Sequence, residues 1–280
     1  DSTPRIASQF PVKLLRHRSR SGSTVARNDG LKLSKGEFVA FVDSDCILMK
    51  DSLKNVLLVL IENQAGGVGG VALPLKSTLV SDSYTVRLFG RSSIETRIRE
   101  IDSIGTGFVV YPRKLLMRLG GFDGSYFYGG EDYDLSLRIR KAGYKLFLAP
   151  SAKVYHDHPT TLQKLAKKWF SYGSTFFEVC RRNHLKREIA LAPGWLFSCV
   201  LFFFVALWSN EFLVWSLFIL TFWTPWLLYY SKQTVKFWLH TRRVKYLALP
   251  LIHQVMIASR TLGFLYGILK ALLRRKGSKS

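Results

Sequence analysis

Cysteine is scarce in this chain of 280 residues: there are three, Cys46, Cys180 and Cys199, far apart and in no metal-ligand spacing. That excludes a disulfide-built scaffold, argues against a zinc site and suits a reducing compartment. Acidic side chains are also in short supply, with 19 Asp and Glu against 41 Lys and Arg and a net charge of +22. Such a balance implies an anionic partner, whether a phosphate-bearing substrate, acidic lipid or nucleic acid. No nucleic-acid recognition motif is visible, and the charge concentrates beside apolar segments, which counts against nucleic acid. The length suffices for one sizeable core and an appended segment but not for three domains. The first residue is not methionine, so a further amino-terminal piece is expected before Asp1.

What is present divides near residue 180. Up to about Leu191 the chain alternates like a soluble α/β domain, and beyond it the pattern becomes membrane-like. Phe38 to Val42 is an unbroken apolar run, short and β-branched enough to predict a fully buried strand of a parallel sheet. Asp43 and Asp45 follow at once. Two positions apart on an extended chain, they project to one side beyond the carboxyl end of the strand, where ligands bind in open α/β sheets. Two hard oxygen ligands there suit Mg²⁺ or Mn²⁺ carrying a diphosphate; the alternative is a pair of polar loop residues ahead of a helix.

Taken in order, residues 1–4 read as a strand end and a turn, and residues 12–15 as a short strand. Helices are expected after Gly22 and over residues 51–63, and a strand over 68–73. A polar, basic stretch over 76–102 could form a mobile loop over the site, with a helix near 84–91. A strand follows Gly105-Thr106-Gly107, and a short helix ends at Gly120-Gly121. Strands that alternate with helices predict a mostly parallel sheet covered on both faces. The second acidic cluster, Glu131-Asp132-Tyr133-Asp134, follows a glycine-rich loop and opens a helix, where the dipole favours carboxylates. Its plain reading is helix capping; its functional reading is a second acidic group brought toward the first.

The ordered set of motifs resembles the family 2 glycosyltransferases. The matching features are Asp1-Ser2-Thr3, Gly22 with Ala26-Arg27-Asn28 and Gly30, Val42-Asp43-Ser44-Asp45, Gly105-Thr106-Gly107, and Leu119-Gly120-Gly121-Phe122-Asp123. They continue with Gly130-Glu131-Asp132 and Asp134, Leu135 and Arg138, Gly143-Tyr144, and Val154-Tyr155-His156. The match spans roughly residues 1–180. It implies a GT-A fold and inverting transfer of a sugar from a nucleotide diphosphate donor. Carried over, Asp1 would contact the nucleotide, and Arg27 the nucleotide or diphosphate. Asp43 and Asp45 would form the DxD pair that binds donor and metal, with Asp45 the more direct ligand and His156 a further one. Asp132 would be the general base, while Glu131, Gly105, Thr106, Gly107 and Trp169 would line the acceptor side. The implied cofactor is Mg²⁺ or Mn²⁺. The resemblance also implies a first strand before Asp1. The Gln-x-x-Arg-Trp motif of processive synthases is not matched after the base, where Gln163 is followed by Leu165-Ala166-Lys167-Lys168-Trp169. Trp169, Tyr172 and Gly173 instead resemble the interface helix of non-processive membrane relatives.

Residues 189–208 and 212–230 each approach the roughly 20 apolar residues that span a bilayer. With residues 209–211 between them, they predict a helical hairpin; a buried hairpin in a soluble core is the alternative. Basic segments flank both outer ends, which puts them and the catalytic domain in the cytosol. Over 246–273, His253, Arg260, Gly267 and Arg274 recur every seven residues, predicting an amphipathic helix at the membrane surface or else a third span. The expected organisation is therefore a catalytic domain over 1–180 and a membrane region over 181–280, in a multi-pass protein of the cell membrane. The expected partners are a nucleotide sugar, a lipid-linked or surface-glycan acceptor, and the membrane. Direct transfer to polyprenyl phosphate and processive synthesis remain alternatives, as does a non-catalytic module that binds anionic lipid.

Overall fold

The computed structural model of the protein describes residues 2–126, 129–185 and 244–277, with six isolated positions between 204 and 242. Asp1 and, Phe204 apart, the expected spans at 189–208 and 212–230 lie outside the described residues.

The chain opens on α1 (Thr3–Ala7), which has Pro4 in its first turn and buries nothing. The strand end and turn expected over residues 1–4 are thus replaced by a helical turn, for which proline's fixed φ is suited. Residues 12–15 form no strand; Val12, Leu14 and Leu15 are exposed, with no neighbouring strand to pair with. α2 (Ser23–Leu33) then leads into β1 (Phe38–Val42), β2 (Cys46–Leu48), α3 (Ser52–Glu62) and β3 (Gly67–Pro74). There follow α4 (Leu79–Phe89), β4 (Arg99–Ile101), β5 (Phe108–Pro112), α5 (Arg113–Arg118), α6 (Glu131–Lys141), β6 (Leu146–His156) and α7 (Leu162–Arg182). After a 3-10 turn over Val244–Ala248, α8 (Leu249–Gly277) ends the described chain.

Six strands form one sheet in the order β1-β5-β3-β6-β2, with β4 also on β6. Among the described residues, β3 with β6 is the one parallel pairing; β1–β5, β3–β5, β2–β6 and β4–β6 are antiparallel. The expected mostly parallel sheet is therefore a mixed one. The reason lies in the connection from β3 to β5, which contains a helix but no crossover. α4 packs against β3 as well as α7 and α8, and the chain returns through β4 and the buried Ile104. β5 therefore starts beside the carboxyl end of β1, with Phe108 opposite Val42.

The two cores follow from the period of two along β5. Val109 and Tyr111 face one side, packing with Phe41, Leu116, Phe122, Leu135 and Ile139 from β1, α5, α6 and the loop between these helices. Phe108 and Val110 face the other, against Val56, Val59 and Leu60 of α3. Phe41 meets Phe122 edge to face at 5.1 Å, a geometry worth about 0.5–1.5 kcal/mol beyond burial. β1 lies at the end of the strand order. It buries Val39 and Phe41 but leaves Ala40 and Val42 exposed, which corrects the expectation of a fully buried strand. A run of apolar residues does not distinguish an edge position from a central one.

The stretch 76–102 is not a loop throughout. Thr78 and Ser81 form a reciprocal capping box at the start of α4, which satisfies two backbone donors that the helix leaves open. α8 lies along α7 with little between the backbones: a Cβ on Gly173 would overlap the Arg260 carbonyl, and one on Gly263 the Phe170 carbonyl. The polar stripe of α8, as far as its side chains are described, is turned inward. His253 is buried, Arg260 stacks over the Phe176 ring at 4.7 Å, and Gly267 packs on Phe177. The outward stripe is apolar, with Leu251 70% exposed and Leu262 55% exposed. Among the described residues, Val244–Leu273 is the one helical segment long and apolar enough to cross a membrane, with a mean hydropathy of 1.4.

Candidate active site

A cavity of about 790 Å³ opens where β1, β3 and β6 end and β5 begins. Its walls include Arg27, Asp43, Asp45, Gly105, Thr106, Gly107, Glu131, Asp132, His156 and Trp169. Every candidate site residue except Asp1, which is not described, is therefore brought to one place.

The first acidic pair does not sit on an extended chain. Asp43 N donates to Gly107 O at 3.1 Å and Cys46 N donates to Asp43 O at 3.0 Å, closing a tight turn between β1 and β2. Both carboxylates face the cavity because the turn, not strand alternation, aims them. The second cluster opens α6 after Gly129 and Gly130, whose φ values of 116° and 92° a side chain would strain. Arg27 on α2 joins the two clusters. Its guanidinium donates to Asp43 Oδ1 and to Glu131 Oε1, each at 2.7 Å. Glu131 is buried and spends one oxygen on this pair. Asp134 points elsewhere, to Arg138 at 2.8 Å and to Asn183 of the α7 terminus at 3.1 Å, so it ties α6 to α7.

Asp132 is the carboxylate left toward the cavity. Burial, reinforced by the neighbouring Glu131 carboxylate, pushes its pKa up to about 6, against the Tyr133 backbone N–H and Arg27. A Cβ on Gly105 would stand 3.7 Å from its Oδ2, so the glycine keeps the approach to this oxygen open. The residue before α6 makes no side-chain cap, and Asp132 Oδ1 accepts from the adjacent Tyr133 N at 2.7 Å.

His156 closes the other end. Its Nε2 stands 3.6 Å from Asp45 Oδ2, and its buried Nδ1 has no hydrogen-bond partner among the described residues. Burial lowers its pKa against the pull of Asp45, which favours the neutral ring that a metal needs. Asp45, Cys46 and His156 each offer a ligand atom within 4.8 Å of the others. A Cβ on Gly107 would meet His156 Cδ2 at 3.8 Å, Cys46 Sγ at 3.9 Å and Asp43 Oδ2 at 4.0 Å. These donors fit a divalent metal, with Asp45 and His156 in the direct set and Asp43 beside them, its Oδ1 held by Arg27.

Sequence reasoning missed Lys168 and Tyr84 in the cavity wall. Lys168 lies near Asp45 and Asp43, and burial lowers its pKa although both carboxylates oppose this. Its ammonium sits 5.1 Å from the centre of the Tyr84 ring. Tyr84 and Tyr172 join hydroxyls at 2.8 Å, and Trp169 lies edge-on to Tyr172 at 5.8 Å. Lys168 precedes Trp169, so a basic-aromatic pair on a helix after the second acidic cluster was the available signal. Tyr84 carried none, since α4 reaches the cavity by packing against β3, α7 and α8, which no local pattern records.

A model of the family described as "Glycosyltransferase like family 2" matches residues 2–171. The pre-mycofactocin glycosyltransferase of Mycobacterium tuberculosis is 28% identical over 211 residues, covering 72% of this chain and 44% of its own length. A dolichyl N-acetyl-α-D-glucosaminyl phosphate 3-β-D-2,3-diacetamido-2,3-dideoxy-β-D-glucuronosyltransferase of Methanococcus voltae is 22% identical, with 88% and 75% of the two chains covered. The chain thus spans less than half the length of the first of these relatives. In structure, it resembles a mannosyltransferase from Pyrobaculum calidifontis in complex with GDP-Man and Mn²⁺. That likeness has a TM-score of 0.62 at 19% identity, over 95% of this chain and 75% of the other, and it supports a fold of the GT-A kind. With more than half of its residues matched by the family model, the chain belongs to the glycosyltransferase-like family 2.

Proposed function

We propose that the protein is a membrane-bound, metal-dependent, inverting glycosyltransferase that moves a sugar from a nucleotide diphosphate donor to a lipid-linked or cell-surface glycan acceptor. The observation that carries this reading is the union of two acidic clusters, distant in sequence, in one cavity through Arg27, with a carboxylate of raised pKa left facing the space.

Asp132 is the general base. Its pKa of about 6 keeps it ionised at neutral pH yet basic enough to take the proton of an acceptor hydroxyl as that oxygen attacks the anomeric carbon. Attack from the face opposite the leaving diphosphate gives inversion in one displacement, with no enzyme nucleophile. Lys168 supplies positive charge at the end of the cavity that holds Asp43 and Asp45. Arg27 holds Asp43 and Glu131 in fixed geometry, and it is the chain's candidate contact to the nucleotide or diphosphate. Asp1 would contact the nucleotide. A divalent metal held by Asp45 and His156, with Asp43, would neutralise the charge that builds on the leaving group. Gly105, Thr106, Gly107, Glu131 and Trp169 form the acceptor side. A phosphate acceptor is already ionised and needs no base, so Asp132 favours a hydroxyl acceptor. The Methanococcus relative, as its name states, acts on a lipid-linked sugar.

The apolar outer stripe of α8 and the basic surplus support attachment to an anionic membrane, with the catalytic domain on the cytoplasmic side. The test is nucleotide release from a panel of nucleotide sugars, with a lipid extract as acceptor and with Mg²⁺, Mn²⁺ or chelator. Release from one donor, abolished by chelation and by Asp45→Asn and Asp132→Asn, is the expected result. A folded, lipid-reconstituted protein that turns over no donor would overturn the reading.

A further inference from the structure

The turn that carries Asp45 brings a thiol into the same cluster. Cys46 is the first residue of β2, and in the antiparallel pairing of β2 with β6 its direct partner is His156. Residues opposite one another in such a pair present their side chains on the same face of the sheet, about 4.5–5.5 Å apart at Cβ. The Asp45 carboxylate, the Cys46 sulfur and the His156 imidazole accordingly lie within 4.8 Å of one another. His156 turns its Nε2 to this cluster, 3.6 Å from Asp45 Oδ2, and Gly107 leaves the space between the Cδ2 edge of the ring and the sulfur open. In the sequence the two residues stand too far apart to form any recognisable ligand spacing.

We propose that Asp45, Cys46 and His156 form a mixed oxygen, sulfur and nitrogen site that takes a borderline metal of the zinc and cobalt class in preference to Mg²⁺. A thiolate and an imidazole are poor ligands for a hard cation, which takes oxygens, and good ones for Zn²⁺ or Co²⁺. Three protein ligands also leave an open position, as in zinc sites that accept a further oxygen ligand. The assignment rests on the reading of this end of the cavity as the metal site of sugar transfer, and it adds a specificity for the metal: Cys46 makes the donor end bind zinc tightly.

The test is titration of the full chain with Co²⁺ alone, in a Cys180→Ser, Cys199→Ser background, followed by absorption. One equivalent is expected to give a thiolate-to-cobalt charge-transfer band, lost in Cys46→Ser and in His156→Ala and retained in Asp132→Asn. By calorimetry, Cys46→Ser is expected to weaken Zn²⁺ binding by more than the roughly 10–100-fold that loss of an outer-shell partner costs, while Mn²⁺ binding changes little. Retained Mn²⁺ binding also demonstrates that the variant site is folded. Absence of the band in the parent protein, or its persistence in Cys46→Ser, overturns the assignment. Sugar transfer supported by Mg²⁺ or Mn²⁺ in a protein without the band would leave the proposed function standing and reject this inference alone; a band in a protein that turns over no donor would do the reverse.

Discussion

Replacing Asp132 with asparagine distinguishes a general base from a helix cap, because the two roles predict opposite effects on stability. An aspartate ordinarily titrates near 3.8, and this one is held at about 6, by burial first and by Glu131 second. Between those values the folded protein keeps a proton that the unfolded chain has released. Wild-type stability therefore falls as the pH rises through this window, and the loss is complete above about pH 6. At 1.36 kcal/mol per pH unit the gap corresponds to about 3 kcal/mol. Asparagine escapes that penalty but gives up the attraction of Arg27, so the expected gain is about 1–3 kcal/mol at pH 8. For a domain of this size that corresponds to a Tm higher by roughly 5 °C. Thermal melts at pH 8 and pH 4 measure it, and near pH 4 the difference should almost vanish. Sugar transfer by the same variant should fall about 10²–10⁴-fold. A lower Tm at pH 8, or a gain of equal size at both pH values, would refute the account of Asp132 as a strained, cavity-facing carboxylate.

The wild-type rate of transfer should rise with pH through about 6 and then level, since the base must be ionised; a pH-rate profile that is flat from 5 to 8 would contradict this. Arg27→Met leaves the buried Glu131 carboxylate without its cation, and loss of one partner of a buried pair costs roughly 3–5 kcal/mol. Urea unfolding should detect it, and Glu131→Gln in the same chain should recover much of the loss. Gly263→Val forces a side chain into the Phe170 carbonyl, with an expected cost of about 1–3 kcal/mol and earlier proteolysis at α8. Glutamate at Leu251, Leu262 and Leu269, all on the exposed stripe, should reduce sedimentation with anionic vesicles by roughly tenfold per residue, with nucleotide binding unchanged.

Much of the chain was legible without coordinates. The extent of β1 follows from five apolar residues ended by an aspartate, and α6 from a glycine pair, three acidic residues and apolar positions at helical spacing. The positions of the acidic clusters were legible too, because carboxylates at strand and helix ends are local features that order alone can identify. Tertiary structure decided the rest. The direction of β5 depends on where α4 packs, and the edge position of β1 on which strands reach it; neither is written in a local pattern. The heptad on α8 was visible, but the side to which it turns was set by the glycine contact with α7. Above all, the pairing of Cys46 with His156, and the bridge from Arg27 to both acidic clusters, come from strand register and helix packing. Sequence spacing records neighbours along the chain, whereas a site is made by neighbours in space.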